Sequence, residues 1–346
     1  MVAAWRGLPA GADAVLATVV RTSGSTYRRP GARLLLSHRG RLAGSISGGC
    51  LESDLVVSAQ ERTASGPVLV TYDATSSEDL IWGFGLGCTG VIEVLLERLP
   101  GDGGALAFLE ARLLRKTPGV LATVISQGPL LGRSWRYDGE PGELPEEILH
   151  LCAAALGGAG TRVHETALGG TVEVLVEGVL PPLQLGIFGA GFDCGPLIAL
   201  ADHLGWATVL VDGRPGYAQR ASVPAATEVL VQPFDSPLDG LRLDAAVVMS
   251  HNYLNDLAVL RNLVKLDLRY LGLLGPRARS ERLLADLERE GLSVSADQRA
   301  RMRAPVGLDL GSEGPYEIAL SIVAEIQAVF RGRTGGALGL VDRWIA

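Results

Sequence analysis

At 346 residues the chain has room for about two domains of ~150 residues each. Its 47% hydrophobic and 20% charged residues, with 45 glycines and 18 prolines, describe a compact, loop-rich globular protein rather than a disordered or fibrous one. A formal net charge of −7 lacks the basic footprint of a general nucleic-acid or anionic-membrane binder, so small molecules or proteins are the expected partners.

The mean hydropathy of +0.26 is high. Every apolar stretch nevertheless meets Gly, Pro or a charge before the ~18 residues that a spanning helix needs. Four cysteines (Cys50, Cys88, Cys152 and Cys194) are too few for a disulfide framework, and the N-terminus lacks the layout of a signal peptide. A reducing cytoplasm is the expected location.

In chain order, residues 15–20 (VLATVV) read as a strand, followed by shorter strands at 34–36 and 42–46 around a turn at 37–40. Gly48 and Gly49 then precede a helix predicted to run to Arg62. Strands are predicted at 68–72, 91–96, 120–126 and 172–176, and helices at 105–116 and 146–156. Together they suggest an α/β first domain with a mixed sheet. Pro181-Pro182 cannot lie inside a helix or central strand, and divides domains predicted at 1–180 and 181–346. Beyond it, strands at 185–188, 208–211, 245–249 and 270–274 alternate with helices at 196–203, 254–266, 280–289 and 315–330. That alternation predicts a Rossmann-like, doubly wound parallel sheet.

The strand ending at Phe188 leads into Gly189-Ala190-Gly191 and a helix, an arrangement that presents backbone N–H groups to a phosphate. The third glycine, Gly195, comes one place later than in G-x-G-x-x-G. Asp212 follows 23 residues after Gly189, near the ~20 expected for a carboxylate on a ribose hydroxyl. Glycines here equally serve close helix–strand packing, and Asp212 equally serves as a turn cap. Arg214 either accepts an anionic group or pairs with Asp212. His251, just after a strand, is the candidate proton donor of this half, although a lone histidine there more often anchors a loop.

In the first half, Gly48-Gly49-Cys50 and Gly85-Leu86-Gly87-Cys88 each place a cysteine directly after glycine. A cysteine opening a helix has a lowered pKa and suits a soft metal or a sulfur donor; a buried inert thiol is the alternative. No C-x-x-C or histidine partner completes a zinc site. Six arginines between Arg21 and Arg41, including Arg29 and Arg33, accompany hydroxyls such as Ser25. This composition suits an oxyanion, or else a solvated hairpin face.

These motifs resemble the XdhC/CoxI family, the xanthine dehydrogenase accessory factors. The matching strings in the first half are residues 17–25 (ATVVRTSGS), 29–33 (RPGAR), 44–52 (GSISGGCLE) and 82–88 (WGFGLGC). In the second half they are 189–191 (GAG), 211–215 (VDGRP), 270–277 (YLGLLGPR), 304–311 (APVGLDLG) and 315–319 (PYEIA). One departure is Phe192, where many members carry histidine.

The resemblance implies a helper without turnover of its own. Such a protein binds the molybdopterin (molybdenum) cofactor, supports its sulfuration with a cysteine desulfurase, and delivers it to a molybdenum hydroxylase apoenzyme such as xanthine dehydrogenase or a CO-dehydrogenase-like enzyme. It also implies a homodimer, and puts Cys50 and Cys88 at the family's cysteine positions as molybdenum or sulfur contacts. Two further readings stand beside it: an NAD(P)-dependent oxidoreductase using Gly189, Gly191 and Asp212, and a ligand-free interaction scaffold.

Overall fold

The computed structural model describes residues 1–9, 11–73, 90–158, 160–218, 223–224 and 227–340. The chain divides into two units, Met1–Pro181 and Pro182–Ala346.

In the first unit, α1 (Val2–Arg6) precedes β1 (Ala14–Gly24), β2 (Arg33–Ser37), β3 (Gly40–Gly44), α2 (Cys50–Arg62), β4 (Val68–Asp73) and β5 (Gly90–Arg98). These strands form a sheet in the order β3-β2-β1-β5-β4. Then come α3 (Gly104–Arg115), β6 (Gly119–Val124), β7 (Ser134–Tyr137), α4 (Glu146–Ala155), β8 (Gly160–Ala167) and β9 (Thr171–Val179), with a second sheet in the order β7-β6-β9-β8.

Every pairing in both sheets among the described residues is antiparallel. The mixed strand pairing expected for this half is therefore corrected to antiparallel pairing, in two sheets. Short returns such as His38-Arg39 between β2 and β3 bring the chain back alongside itself, whereas parallel pairing needs a long crossover.

β1 is apolar along most of its length because both its faces are covered. Val15, Ala17 and Val19 pack with Leu51, Leu55 and Ala59 of α2. On the other face, Val20 meets Leu95 of its own sheet and Ile125 and Leu175 of the second. The sheets thus stack face to face, with α2 outside one and α4, through Ile148 and Cys152, outside the other. Strands β7 and β8 escape the sequence reading because their sides are largely exposed and polar, leaving no apolar alternation to detect.

The second unit contains β10 (Gln184–Phe188), α5 (Cys194–His203), β11 (Ala207–Val211), α6 (Pro215–Ala218), β12 (Glu228–Leu230), β13 (Ala245–Val248), α7 (Tyr253–Leu263), β14 (Tyr270–Leu273), α8 (Arg277–Arg289), α9 (Ala296–Arg301), β15 (Met302–Arg303) and α10 (Pro315–Phe330). Its sheet is parallel, in the order β12-β11-β10-β13-β14-β15. Helices α7 and α8 cover one face through Leu260, Leu263, Leu283 and Leu287. On the other face, α5 and α10 pack through Leu197, Ile198, Ile322 and Ile326. This is the doubly wound Rossmann-like arrangement expected from the alternation. Counting only its six strands, the order is 3-2-1-4-5-6, which places the switch point between β10 and β13.

Candidate functional site

Two places combine loop glycines with exposed polar or aromatic groups, one in each unit. In the first, Gly49 caps α2 at φ +124°, a conformation open to glycine and poorly tolerated by other residues, and Cys50 is the first helical residue. A buried network holds this entry. The Glu52 carboxylate accepts the Ile46 and Ser47 N–H groups, each at 2.9 Å, and the Ser47 hydroxyl. The Ser47 oxygen accepts in turn from Gly49 N–H (3.1 Å) and Leu51 N–H (3.3 Å). Burial opposes ionisation of Glu52, but the hydrogen bonds from Ser47 and Ile46 outweigh it and hold its carboxyl below the usual range.

Gly48 and Gly49 stay exposed, with open space where a side chain would stand. Beside them lies a shallow hollow lined by Arg41, Gly49, Glu52, Ser53 and Val56. A guanidinium next to a helix N-terminus is an arrangement that attracts anions. Arg41 reaches it because the β2–β3 hairpin returns toward α2. In the sequence Arg41 is one of six clustered arginines, with nothing local to distinguish it. Ser47 and Glu52 carried a signal, a hydroxyl five residues before an acid at a helix start, but only as part of a longer motif.

The arginine cluster divides. Arg21 pairs with Glu93 at 2.6 Å and also with Glu173. Arg33 pairs with Glu177 at 2.6 Å and is nearly buried. Arg28, Arg29, Arg39 and Arg41 are exposed, as is Ser25. Arg33 thus stands apart from the exposed arginines of the cluster, because strand alternation turns its side chain toward the second sheet. Gly85, Gly87 and Cys88 lie outside the described residues.

In the second unit, Gly189 sits at the switch point with φ +123°, where a Cβ would lie 2.5 Å from the Met249 carbonyl oxygen. Asp212, fully buried, receives the Ala190 N–H at 2.7 Å, the Arg214 N–H at 2.8 Å, and the Arg214 Nε and Nη2 at 2.9 and 2.7 Å. Burial disfavours its charge, yet the Arg214 and Ala190 hydrogen bonds prevail and lower its pKa. Four donors fill both oxygens of the carboxylate. Of the two sequence readings of Asp212 and Arg214, mutual pairing is the observed state.

His251, at φ +56°, places Nε2 2.7 Å from Asp193 Oδ2. A Cβ on Gly191 would lie 2.8 Å from Asp193 Oδ1 and 3.5 Å from the His251 ring, so Gly191 makes room for this pair. His251 anchors the turn across the switch point. Cys194 and Cys152 are buried, and that burial pushes both thiols up to about 11, as expected of packing residues.

Beside the turn opens a cleft of about 570 Å³ lined by Gly191, Phe192, Cys194, Gly195, Tyr217 and Tyr316, among others. Four aromatic side chains are strongly exposed among the described residues (Tyr27, Phe192, Tyr217 and Tyr316), and three of them line this cleft. Phe192 is 99% exposed. The Arg214 guanidinium lies 4.0 Å from the Tyr217 ring centroid. Exposed rings around a cavity suit a flat ring ligand or a partner's apolar side chains. Tyr217 and Tyr316 are far apart in sequence, and no motif joins them.

Comparison with known proteins ties both places to one lineage. The XdhC and CoxI family matches residues 8–73, and the XdhC Rossmann domain matches residues 185–326. A Bacillus subtilis protein described as a probable subunit of xanthine dehydrogenase is 32% identical over 91% of this chain and 92% of its own length. The chain belongs to the XdhC and CoxI family. Another relative is the Escherichia coli molybdenum cofactor insertion chaperone PaoD, 25% identical over 93% of this chain and 85% of its own. A solved Bacillus halodurans structure described as a xanthine dehydrogenase aligns with TM-score 0.80 and 30% identity over 96% of this chain and 95% of that one. In this XdhC and CoxI family chain the first matched segment contains Arg41, Ser47, Gly49 and Glu52, and the second contains the glycine turn and the aromatic cleft. No group of three or more metal-ligating side chains occurs among the described residues, and no helix there is long and apolar enough to cross a membrane.

Proposed function

We propose that this protein is an accessory factor that holds the molybdenum cofactor as cargo and passes it to the apoenzyme of a molybdenum hydroxylase. One observation carries the reading: the chain aligns along both units with a molybdenum cofactor insertion chaperone. The α2 entry supports it physically. Arg41 and the amide end of α2 suit the phosphate of the pterin, with exposed Ser25 and Arg29 as further polar contacts. Cys50 opens the helix, a position that favours thiolate, and with Cys88 offers soft ligands to molybdenum or to a sulfido group supplied by a cysteine desulfurase. The protein performs no turnover itself and works in the cytoplasm as a homodimer.

Anaerobic purification from a cofactor-producing host, followed by oxidation to fluorescent pterin and by transfer to an apo-hydroxylase, tests this reading. Bound pterin and restored hydroxylase activity are expected. Absence of both rejects it.

A second reading places a nucleotide, NAD(P) included, in the second unit's cleft, favoured by Phe192, Tyr217 and Tyr316 around it. Titration with NAD(H) or NADP(H) tests it, with Phe192→Ala as the discriminating variant. The ligand-free scaffold remains the outcome in which the hydroxylase binds and no small molecule does.

A further inference from the structure

The face-to-face sheets of the first unit do not close completely. Toward one end they meet through Val20, Leu95, Ile125 and Leu175. Beside this apolar contact the same inner faces, with the segments that follow α2 and β5, line a cavity of about 330 Å³, whose polar lining includes Thr18, Arg33, Glu97, Thr123, Ser134 and Glu177. Its size falls at the lower end of the ~300–1,000 Å³ typical of small-molecule sites. Strand alternation puts these groups inside: Glu97 follows Leu95 on its face of β5, and Glu177 follows Leu175 on its face of β9. Charged residues where a sandwich interior wants apolar ones carry a desolvation cost.

The internal hydrogen bonds leave a specific remainder. Glu177 is satisfied by Arg33 at 2.6 Å, and Arg33 also donates to the Gly31 carbonyl at 3.1 Å. Arg33 Nε is buried without an acceptor among the described residues. Glu97 forms no hydrogen bond or ion pair among them, although Arg33 and Glu177 are near enough to act on its charge. The cavity therefore offers one spare carboxylate acceptor and one spare guanidinium donor. A 2-amino-4-oxopyrimidine edge is the complement of that pair, because its amino and ring N–H groups both suit one carboxylate and its adjacent carbonyl accepts from an N–H.

We propose that this inter-sheet cavity binds the aminopyrimidinone edge of a pterin, with Glu97 accepting its two N–H donors and Arg33 Nε donating to its carbonyl oxygen. The inference rests on the accessory-factor reading and gives the pterin ring a site of its own at the C-terminal end of α2, where Thr63 and Pro67 line the cavity, separate from the anion site at that helix's N-terminus, so that one cofactor occupies one place or the other. Burial foremost, then Glu177, raises the Glu97 carboxyl to about 7 against the opposing effect of Arg33. Pterin binding needs the carboxylate, so affinity falls as pH drops below about 7. The other charged groups lining the cavity are Arg33 of β2, Glu177 of β9, Arg136 of β7, which pairs with Asp102, and Arg98, next to Glu97 on β5, whose guanidinium turns to Asp13 and the Gln60 and Thr63 carbonyls.

The test uses the full chain and two probes, pterin and lumazine, the latter carrying oxygen in place of the 2-amino group. Fluorescence titration should show lumazine binding at least about tenfold more weakly, because a carbonyl facing Glu97 leaves two acceptors opposed. Glu97→Gln should weaken pterin by a similar factor and abolish the fall in affinity below about pH 7. Should that variant fail to fold, the pterin-to-lumazine ratio of the wild-type chain decides alone. Equal binding of both probes, or no pterin binding by a chain that still purifies with cofactor, overturns the proposal and leaves the accessory function standing. A chain that neither purifies with cofactor nor transfers it overturns the accessory function itself.

Discussion

Asp212 and Arg214, two residues apart, form a closed pair in which the carboxylate takes both the Nε and the Nη2 of the guanidinium, at 2.9 and 2.7 Å. The same carboxylate holds the Ala190 N–H at the floor of the glycine turn. The acid that a dinucleotide fold offers to a ribose is here committed to shaping the turn. Asp212→Ala should therefore act first on stability. Loss of charge-assisted hydrogen bonds at a buried position is expected to cost about 1.5–3 kcal/mol, a melting shift of roughly 2–4 °C for each kcal/mol. Differential scanning calorimetry checks it, and an unchanged transition would mean that the pair contributes nothing.

The pH dependence of that contribution has a definite sign. Asp212 ionises below the ordinary range in the folded chain, so its stabilisation is complete above the unfolded value near ~4 and is lost as pH falls through the lowered folded value. Wild-type and Asp212→Asn melting curves should differ above about pH 4 and converge in more acidic buffer. A constant difference down to strongly acidic pH contradicts the assignment.

At the first unit's helix entry, Ser47→Ala leaves the Gly49 and Leu51 amides without their shared acceptor and the Glu52 carboxylate without its hydroxyl donor. A destabilisation of about 1–3 kcal/mol is expected, together with weaker cofactor retention because the Gly48-Gly49-Cys50 turn loses its support. Urea unfolding and bound-pterin assays on the same preparation measure both. Full retention in a destabilised variant would separate the turn from the cargo.

Arg41→Ala and Cys50→Ser should give the opposite pattern. Arg41 is exposed, and its removal is expected to change stability by no more than about 0.5 kcal/mol while reducing retained cofactor. Cys50→Ser and Cys88→Ser should lower retained molybdenum more than retained pterin, since oxygen is a harder ligand than sulfur. Metal and pterin quantified on one sample give the readout, and an unaltered metal-to-pterin ratio in both serine variants removes the thiols from the site.

Phe192 has almost no contact to lose, being 99% exposed. Phe192→Ala should leave the stability within about 0.5 kcal/mol of wild type and impair either nucleotide binding or association with the apo-hydroxylase. Calorimetric titration against each identifies which. Wild-type behaviour with both would leave the cleft without a function.

Much of the architecture was readable from residues alone. The strands of the second unit announced themselves as short apolar runs between helical periods, and Pro181-Pro182 stands where the two units part. Strands β12 and β15, of three and two residues, were too short to leave a pattern. In the first unit, β1 and β5 were legible for the same apolar reason, while the pairing direction was not. Alternation within a strand reports which face is buried and carries no information about the neighbour's direction.

The candidate sites divide along the same line. Gly49 before Cys50, and Gly189 before Asp212, are local facts, because a backbone that must adopt positive φ selects glycine wherever the chain folds that way. Family membership was likewise encoded in contiguous strings. Only the tertiary structure decided that Arg33 faces Glu177, that Asp212 is saturated by its own neighbours, that Phe192, Tyr217 and Tyr316 share one cleft, and that Glu97 lines the cavity between two sheets. Each of these depends on which residues meet across distant strands and helices, and charge satisfaction is a property of those meetings rather than of residue type.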